Sequence, residues 1–196
     1  MKTARKWMVS VIVFTGVLLI LSACGTQQAE SNQTESKQTG SSSAPASDMS
    51  SSTMMNKGET APEFSLLDLK GNTVGLSDVQ GKKVYVKYWA SWCSICLAGL
   101  EDLNNLAGQN NDFQVITIVT PDYKGEKSSQ AFTEWFDQQP YDNITVLLDE
   151  KGVWAKEFGV RAYPSSFYIG SDGILAKSQP GHASNEQIME SLQEIL

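Results

Sequence analysis

Val84-Tyr85-Val86-Lys87-Tyr88-Trp89-Ala90-Ser91-Trp92-Cys93-Ser94-Ile95-Cys96-Leu97 is the stretch that decides how this chain folds. From Val84 to Trp89 every residue but Lys87 is β-branched or aromatic, which suits a buried central strand. Beyond Cys96, Leu97, Leu100, Leu103 and Leu106 recur at threes and predict a helical stripe. The Cys-x-x-Cys unit therefore opens a helix. Cys93 is expected at its first turn, where unpaired N–H groups and the positive end of the dipole stabilise a thiolate. Cys96, one turn further in, shares that face and can close a disulfide with it. A thiolate that attacks beside a neighbour that resolves is the minimal machinery of thiol–disulfide exchange.

Two blander readings compete. A zinc site needs about four ligands. The chain has three cysteines, one of them Cys24 near the N-terminus, and His182 is its only histidine. A purely structural disulfide across so short a loop would restrain the unfolded chain little. Redox chemistry fits the strand–CxxC–helix context better.

The 196 residues suffice for a leader, a linker and one domain, and 41% hydrophobic content is compatible with a packed core. A net charge of −7 argues against non-specific nucleic-acid binding, which wants a basic surface. Residues 1–23 read as a signal peptide: Lys2, Arg5 and Lys6 form a charged head, and an apolar run follows from Trp7 to Leu21. That run suits a signal-peptide core better than a membrane span of about 20 residues. Leu21-Ser22-Ala23-Cys24 resembles a bacterial lipobox, which implies lipidation of Cys24 and a place on the extracytoplasmic face of the cell membrane. Residues 24–56, dense in Ser, Gln, Thr and Asn, are expected to form a disordered tether spanning about 30 Å on average.

Residues 57–196 read as one domain. A strand is predicted from Ala61 to Leu69, returning after Lys70-Gly71-Asn72 through Thr73-Val74-Gly75-Leu76. A helical turn follows, capped by Ser77 and stopped by Gly81. After the CxxC helix come a strand at 113–119, a polar loop, and a helix at 128–139 facing inward with Ala131, Phe132, Trp135 and Phe136. The charges from Asp122 to Glu134 read as a solvated face. A strand at 144–148, a short helix at 153–158, a hairpin through Ser171-Asp172-Gly173 and an amphipathic helix at 185–196 complete the chain. Strands alternating with helices predict a three-layer α/β sandwich with a mixed central sheet, its last strands antiparallel.

Three signatures carry a family resemblance: Trp89-Ala90-Ser91-Trp92-Cys93-Ser94-Ile95-Cys96, Gly159-Val160-Arg161-Ala162-Tyr163-Pro164-Ser165, and the opening Pro62-x-Phe64-x-Leu66 with Gly71, Leu76 and Gly81-Lys82. The domain resembles the thioredoxin fold, and more narrowly the membrane-tethered TlpA/ResA group of thiol-disulfide oxidoreductases. The opening resembles the AhpC/TSA-Redoxin type of N-terminal extension. The stretch from Lys87 to Leu97 is similar to extracytoplasmic thioredoxin-family lipoproteins of Gram-positive bacteria. That likeness implies electrons taken from a CcdA-type membrane protein and passed to a surface methionine sulfoxide reductase. It also implies that Cys93 attacks, Cys96 resolves, and Pro164 is a cis-proline facing them. Tyr163 would grip substrate through its backbone, and Trp92 would flank the sulfur. Trp89 reads as core. No prosthetic group or metal is implied.

The chain departs from those patterns. Thioredoxins place an acid where this chain has Lys87, the ResA-type glutamate is replaced by Gly99, and the usual proline before the second cysteine is Ile95. Lys87 either favours a thiolate by charge or snorkels to the surface. His182, in a loop, is assigned no role. Four functions remain: a reductant, an oxidant of exported proteins, a thiol peroxidase, and a tethered adaptor without redox chemistry. The peroxidase is disfavoured by Ala90, which stands where peroxiredoxins carry Thr.

Overall fold

The computed structural model describes residues 55–196. The expected signal peptide, Cys24 and nearly all of the expected tether lie outside the described residues. Asn56, the last residue of that expected tether, donates to both carboxylate oxygens of Asp172 and accepts from the Leu196 N–H.

Eight strands form one mixed sheet in the order β1-β8-β7-β4-β5-β6-β2-β3. These are β1 (Glu59–Thr60), β2 (Ser65–Asp68), β3 (Thr73–Gly75), β4 (Lys83–Tyr88), β5 (Phe113–Val119), β6 (Thr145–Leu148), β7 (Ser165–Ile169) and β8 (Ile174–Pro180). β4 lies at the centre, parallel to β5 and antiparallel to β7. The helices are α1 (Ser94–Ala98), α2 (Leu100–Ala107), α3 (Ser129–Phe136), α4 (Val153–Glu157) and α5 (Asn185–Gln193).

Alternation along β4 sorts the layers. Val84, Val86 and Tyr88 face one way, into a core with Ile118, Leu147, Phe158 and Phe167 that α4 helps to close. Tyr85 faces the other way, among Leu103, Leu106, Ile188 and Leu192 from α2 and α5. On that same face α3 sends Phe132 and Phe136 against Trp89, Val119 and Val146. The expected three-layer α/β sandwich is what the chain forms. Among the described residues no helix is long and apolar enough to cross a membrane.

Several local expectations are corrected. The first predicted strand, Ala61 to Leu69, is shortened: residues 61–64 around Pro62 are not strand, only Ser65–Asp68 joins β3 in the hairpin, and Glu59–Thr60, just before the predicted span, pairs separately with β8. The turn at Leu76–Val79 is a 3-10 helix whose N-cap is Gly75, not Ser77, and Asp78 accepts from the Gly75 N–H. Ala131 is exposed, so α3 buries Phe132 and Phe136 and half-buries Trp135. α5 ends at Gln193, capped at its start by Ser184 with Gln187 reaching back. Gly159 ends α4 with φ +70, a conformation that favours glycine.

Lys87 does not snorkel. It shares the Tyr85 face of β4, is 1% exposed, and among the described residues its Nζ has no hydrogen-bond partner. Helices α1, α2 and α5 cover that face, so its stem has no route to water. Burial lowers its pKa from 10.5 to about 8. A base depressed in the fold loses stability wherever its unfolded form is charged, and the loss is complete below about pH 8. It is relieved as pH rises from about 8 to 10.5. Lys87→Met is therefore expected to stabilise the oxidised protein by about 1–3 kcal/mol at neutral pH. Urea unfolding at neutral pH and at pH 10 checks this: the gain should shrink at the higher pH, and a destabilised variant at neutral pH would contradict it.

Candidate active site

The site grows from the end of β4. The Trp89 N–H continues the β4–β5 ladder by donating to the Ile118 carbonyl, and the chain then leaves the sheet. Trp89 is fully buried against Phe132, Trp135 and Phe136, which bears out its reading as core. The next turn is pinned from outside. The Ser91 N–H and hydroxyl each donate to the Glu126 carboxylate, while Lys127 Nζ donates to Ser91 Oγ. Glu126 is 6% exposed, so the reading of residues 122–134 as a uniformly solvated face is corrected. Its carboxylate is held by two donors on Ser91 and by the Lys127 N–H. Such partners make a buried carboxylate tolerable.

That turn delivers Cys93 to the mouth of α1. Cys93 is the N-cap itself rather than a first-turn residue, and its Sγ accepts from the Cys96 N–H at 3.2 Å. In the reduced protein the same N–H would face a thiolate. Cys93 and Cys96 are joined as a disulfide, with Cα atoms 5.2 Å apart. The two sulfurs are not equivalent: Cys93 keeps 8% exposure and Cys96 has none, so only the first is open to another molecule's disulfide. The predicted stripe past Cys96 is broken at Gly99, where α1 ends and α2 begins.

Two large apolar side chains stand exposed beside the disulfide. Trp92 is 53% and Ile95 60% exposed, unusual for side chains of that size. Trp92 meets the Tyr163 ring edge-on, with centroids 6.0 Å apart. Tyr163 is half-buried, its hydroxyl 2.6 Å from Thr120 Oγ1, and burial raises its pKa. The Tyr163–Pro164 bond is cis, and Pro164 is buried. Among the described residues neither the N–H nor the carbonyl of Tyr163 has a hydrogen-bond partner. The structure thus packs Tyr163 against the cluster that holds Cys93 and Cys96, sets Trp92 on the Tyr163 ring, and puts the buried Pro164 next to Tyr163 along the chain. Cys24 lies outside the described residues.

Two residues at or behind this surface, Glu126 and His182, escaped sequence reasoning, and a third, Lys87, was left between two readings. Glu126 looks like any loop acid, because nothing local marks it as Ser91's partner. Lys87 interrupts an apolar strand, a visible signal whose meaning depends on what covers it. His182 presses on Gly99: a Cβ there would stand 2.5 Å from its Cε1 and 2.8 Å from its Nδ1. A glycine between two helical runs was the available clue to such a close approach.

Comparison with known proteins agrees with this geometry. The Redoxin family profile matches residues 56–193. An uncharacterised protein of Haemophilus influenzae is 50% identical over 127 residues, 64% of this chain and 81% of its own. The thiol-disulfide oxidoreductase ResA of Bacillus cereus is 29% identical over 146 residues, covering 74% of this chain and 82% of its own. Among solved structures, the pneumococcal exposed lipoprotein thioredoxin of Streptococcus pneumoniae superposes with a TM-score of 0.66 at 42% identity. That match covers 68% of this chain and 99% of the other. With the Cys pair at the helix mouth, these likenesses place the chain in the Redoxin family, as a thioredoxin-fold thiol-disulfide oxidoreductase of the TlpA/ResA type.

Proposed function

We propose that the chain is a lipid-anchored reductant on the extracytoplasmic face of the cell membrane. It takes electrons from a CcdA-type membrane protein and delivers them to a methionine sulfoxide reductase or another exported disulfide protein. One observation carries the part played by the domain: two half-exposed apolar side chains, Trp92 and Ile95, flank a disulfide of which only Cys93 is reachable. Such a pair suits docking of a protein surface rather than of a small polar molecule. The Leu21-Ser22-Ala23-Cys24 ending and the likeness to an exposed lipoprotein thioredoxin support the anchor.

The reaction follows from the two sulfurs. The Cys93 thiolate attacks one sulfur of the partner's disulfide, whose S–S bond breaks as the mixed disulfide forms. The other partner sulfur leaves as a thiolate and is protonated. Tyr163 holds the partner's backbone through its unpaired N–H and carbonyl while Trp92 packs against it. Cys96, deprotonated, then attacks Cys93, closing the internal disulfide and expelling the second partner sulfur. Two electrons have passed to the partner, and the membrane donor restores the dithiol.

Cys93→Ser is expected to abolish reduction of disulfide substrates, at least 10³-fold by order of magnitude. Activity retained in that variant would leave only a tethered adaptor. Cys96→Ser is expected to accumulate mixed disulfides, identifiable by mass spectrometry, with a methionine sulfoxide reductase among them. Equilibration with dithiothreitol is expected to give a potential near −270 mV, on the order of thioredoxin's. A value near −120 mV would make the chain an oxidant instead.

A further inference from the structure

Cys96 has no solvent exposure, yet the resolving half of the exchange requires its thiol to lose a proton. That proton needs an acceptor inside the fold. Lys87 rises from β4 beneath the α1–α2 junction, and its Nζ lies 3.6 Å from where a Cβ on Gly99 would stand. Gly99 caps α1 one helical turn past Cys96, and its N–H donates to the Cys96 carbonyl. The His182 ring, from the loop between β8 and α5, abuts that same point from outside and is itself exposed. A side chain at position 99 would separate the two bases, and glycine lets them share the space.

The other groups packed around Lys87 are neutral or turned away. Its neighbours across the sheet are Thr117 on β5 and Ser166 on β7. Thr117 donates to the Thr145 carbonyl, and Ser166 is bonded to Tyr85. The carboxylates in the first turn of α2, Glu101 and Asp102, are exposed. Among the described residues no acid is hydrogen-bonded to the Lys87 amine.

We propose that Lys87 and His182 form the proton path of the resolving cysteine, with Lys87 receiving the Cys96 proton and His182 passing it to water. The inference rests on Cys93 and Cys96 being the exchanging pair. Cys96–SH gives its proton to the neutral Lys87 amine, leaving a thiolate beside an ammonium. The thiolate attacks Cys93, the Cys93–partner bond breaks, and the partner's sulfur leaves and is protonated from solvent. The ammonium returns its proton through His182. Burial supports this use of the amine, since a pKa of about 8 leaves a neutral fraction near pH 7 that an exposed lysine lacks.

The test uses the reduced full chain carrying Cys24→Ser, so that only the pair bears thiols. On mixing with 5,5′-dithiobis(2-nitrobenzoate), the first thionitrobenzoate released reports attack by Cys93 and the second reports resolution by Cys96. Lys87→Met should leave the first phase within about twofold and slow the second at least about tenfold at neutral pH. The pH profile of the second phase should also lose its inflection near 8. His182→Ala should slow the second phase too, with recovery in proportion to added imidazole but not to pyrazole, a ring of the same size and little basicity. A second phase unchanged in Lys87→Met, or slowed only as much as the first, overturns the proposal. So does equal rescue by pyrazole, which would reduce His182 to packing. If the parent chain releases no second thionitrobenzoate, the exchanging pair itself is misread and the path falls with it.

Discussion

β4 is hydrogen-bonded on both edges and buried on both faces from Val84 onward, and the rest of the molecule depends on that double confinement. A strand so placed cannot slip by one residue without turning Val84, Val86 and Tyr88 out of one core and Tyr85 out of the other. Its end is therefore a rigid reference point. The Trp89 N–H extends the ladder by one more bond, and the aromatic cluster of Phe132, Trp135 and Phe136 holds the Trp89 ring. Only then does the chain leave the sheet, which sets where the sulfurs stand.

Placement at a helix mouth makes two identical residues chemically different. Cys93 caps α1, takes an N–H on its sulfur and reaches the surface, whereas Cys96 is sealed beneath it. Glu126 and Lys127 contribute by clamping Ser91, so the turn before Cys93 is fixed by a second loop as well as by the sheet. The exposed Trp92 and Ile95 gain nothing for folding by lying in water. Their position beside the disulfide makes sense as contact area for another protein.

Electrostatics behind the pair run opposite to what a buried carboxylate would supply. Among the described residues no acid is hydrogen-bonded to the Lys87 amine, and an isolated buried charge is costly. Burial makes the amine give up its proton more readily, which limits that cost as a guanidinium could not. Gly99 and His182 complete that niche from another part of the chain.

The amino-acid pattern by itself determined the strand–CxxC–helix unit, the α/β layering and the cysteine pair. Each is written in local periodicity and in the special geometry of a helix start. The Tyr163–Pro164 motif was likewise readable, although its place beside Trp92 was not. Which side chains surround the pair was decided only in three dimensions. The loop acid Glu126 and the lone His182 have nothing in their neighbours to distinguish them from surface residues, and Lys87, though it visibly interrupts an apolar strand, reads equally as a snorkelling base. Their roles depend on contacts spanning 35 residues for Ser91 and Glu126, and on the packing of β4, the α1–α2 junction and the loop before α5 for Lys87, Gly99 and His182. Burial and proximity across such separations belong to the packed whole, because the same charge is a solvated ornament or a depressed base according to which helix covers it.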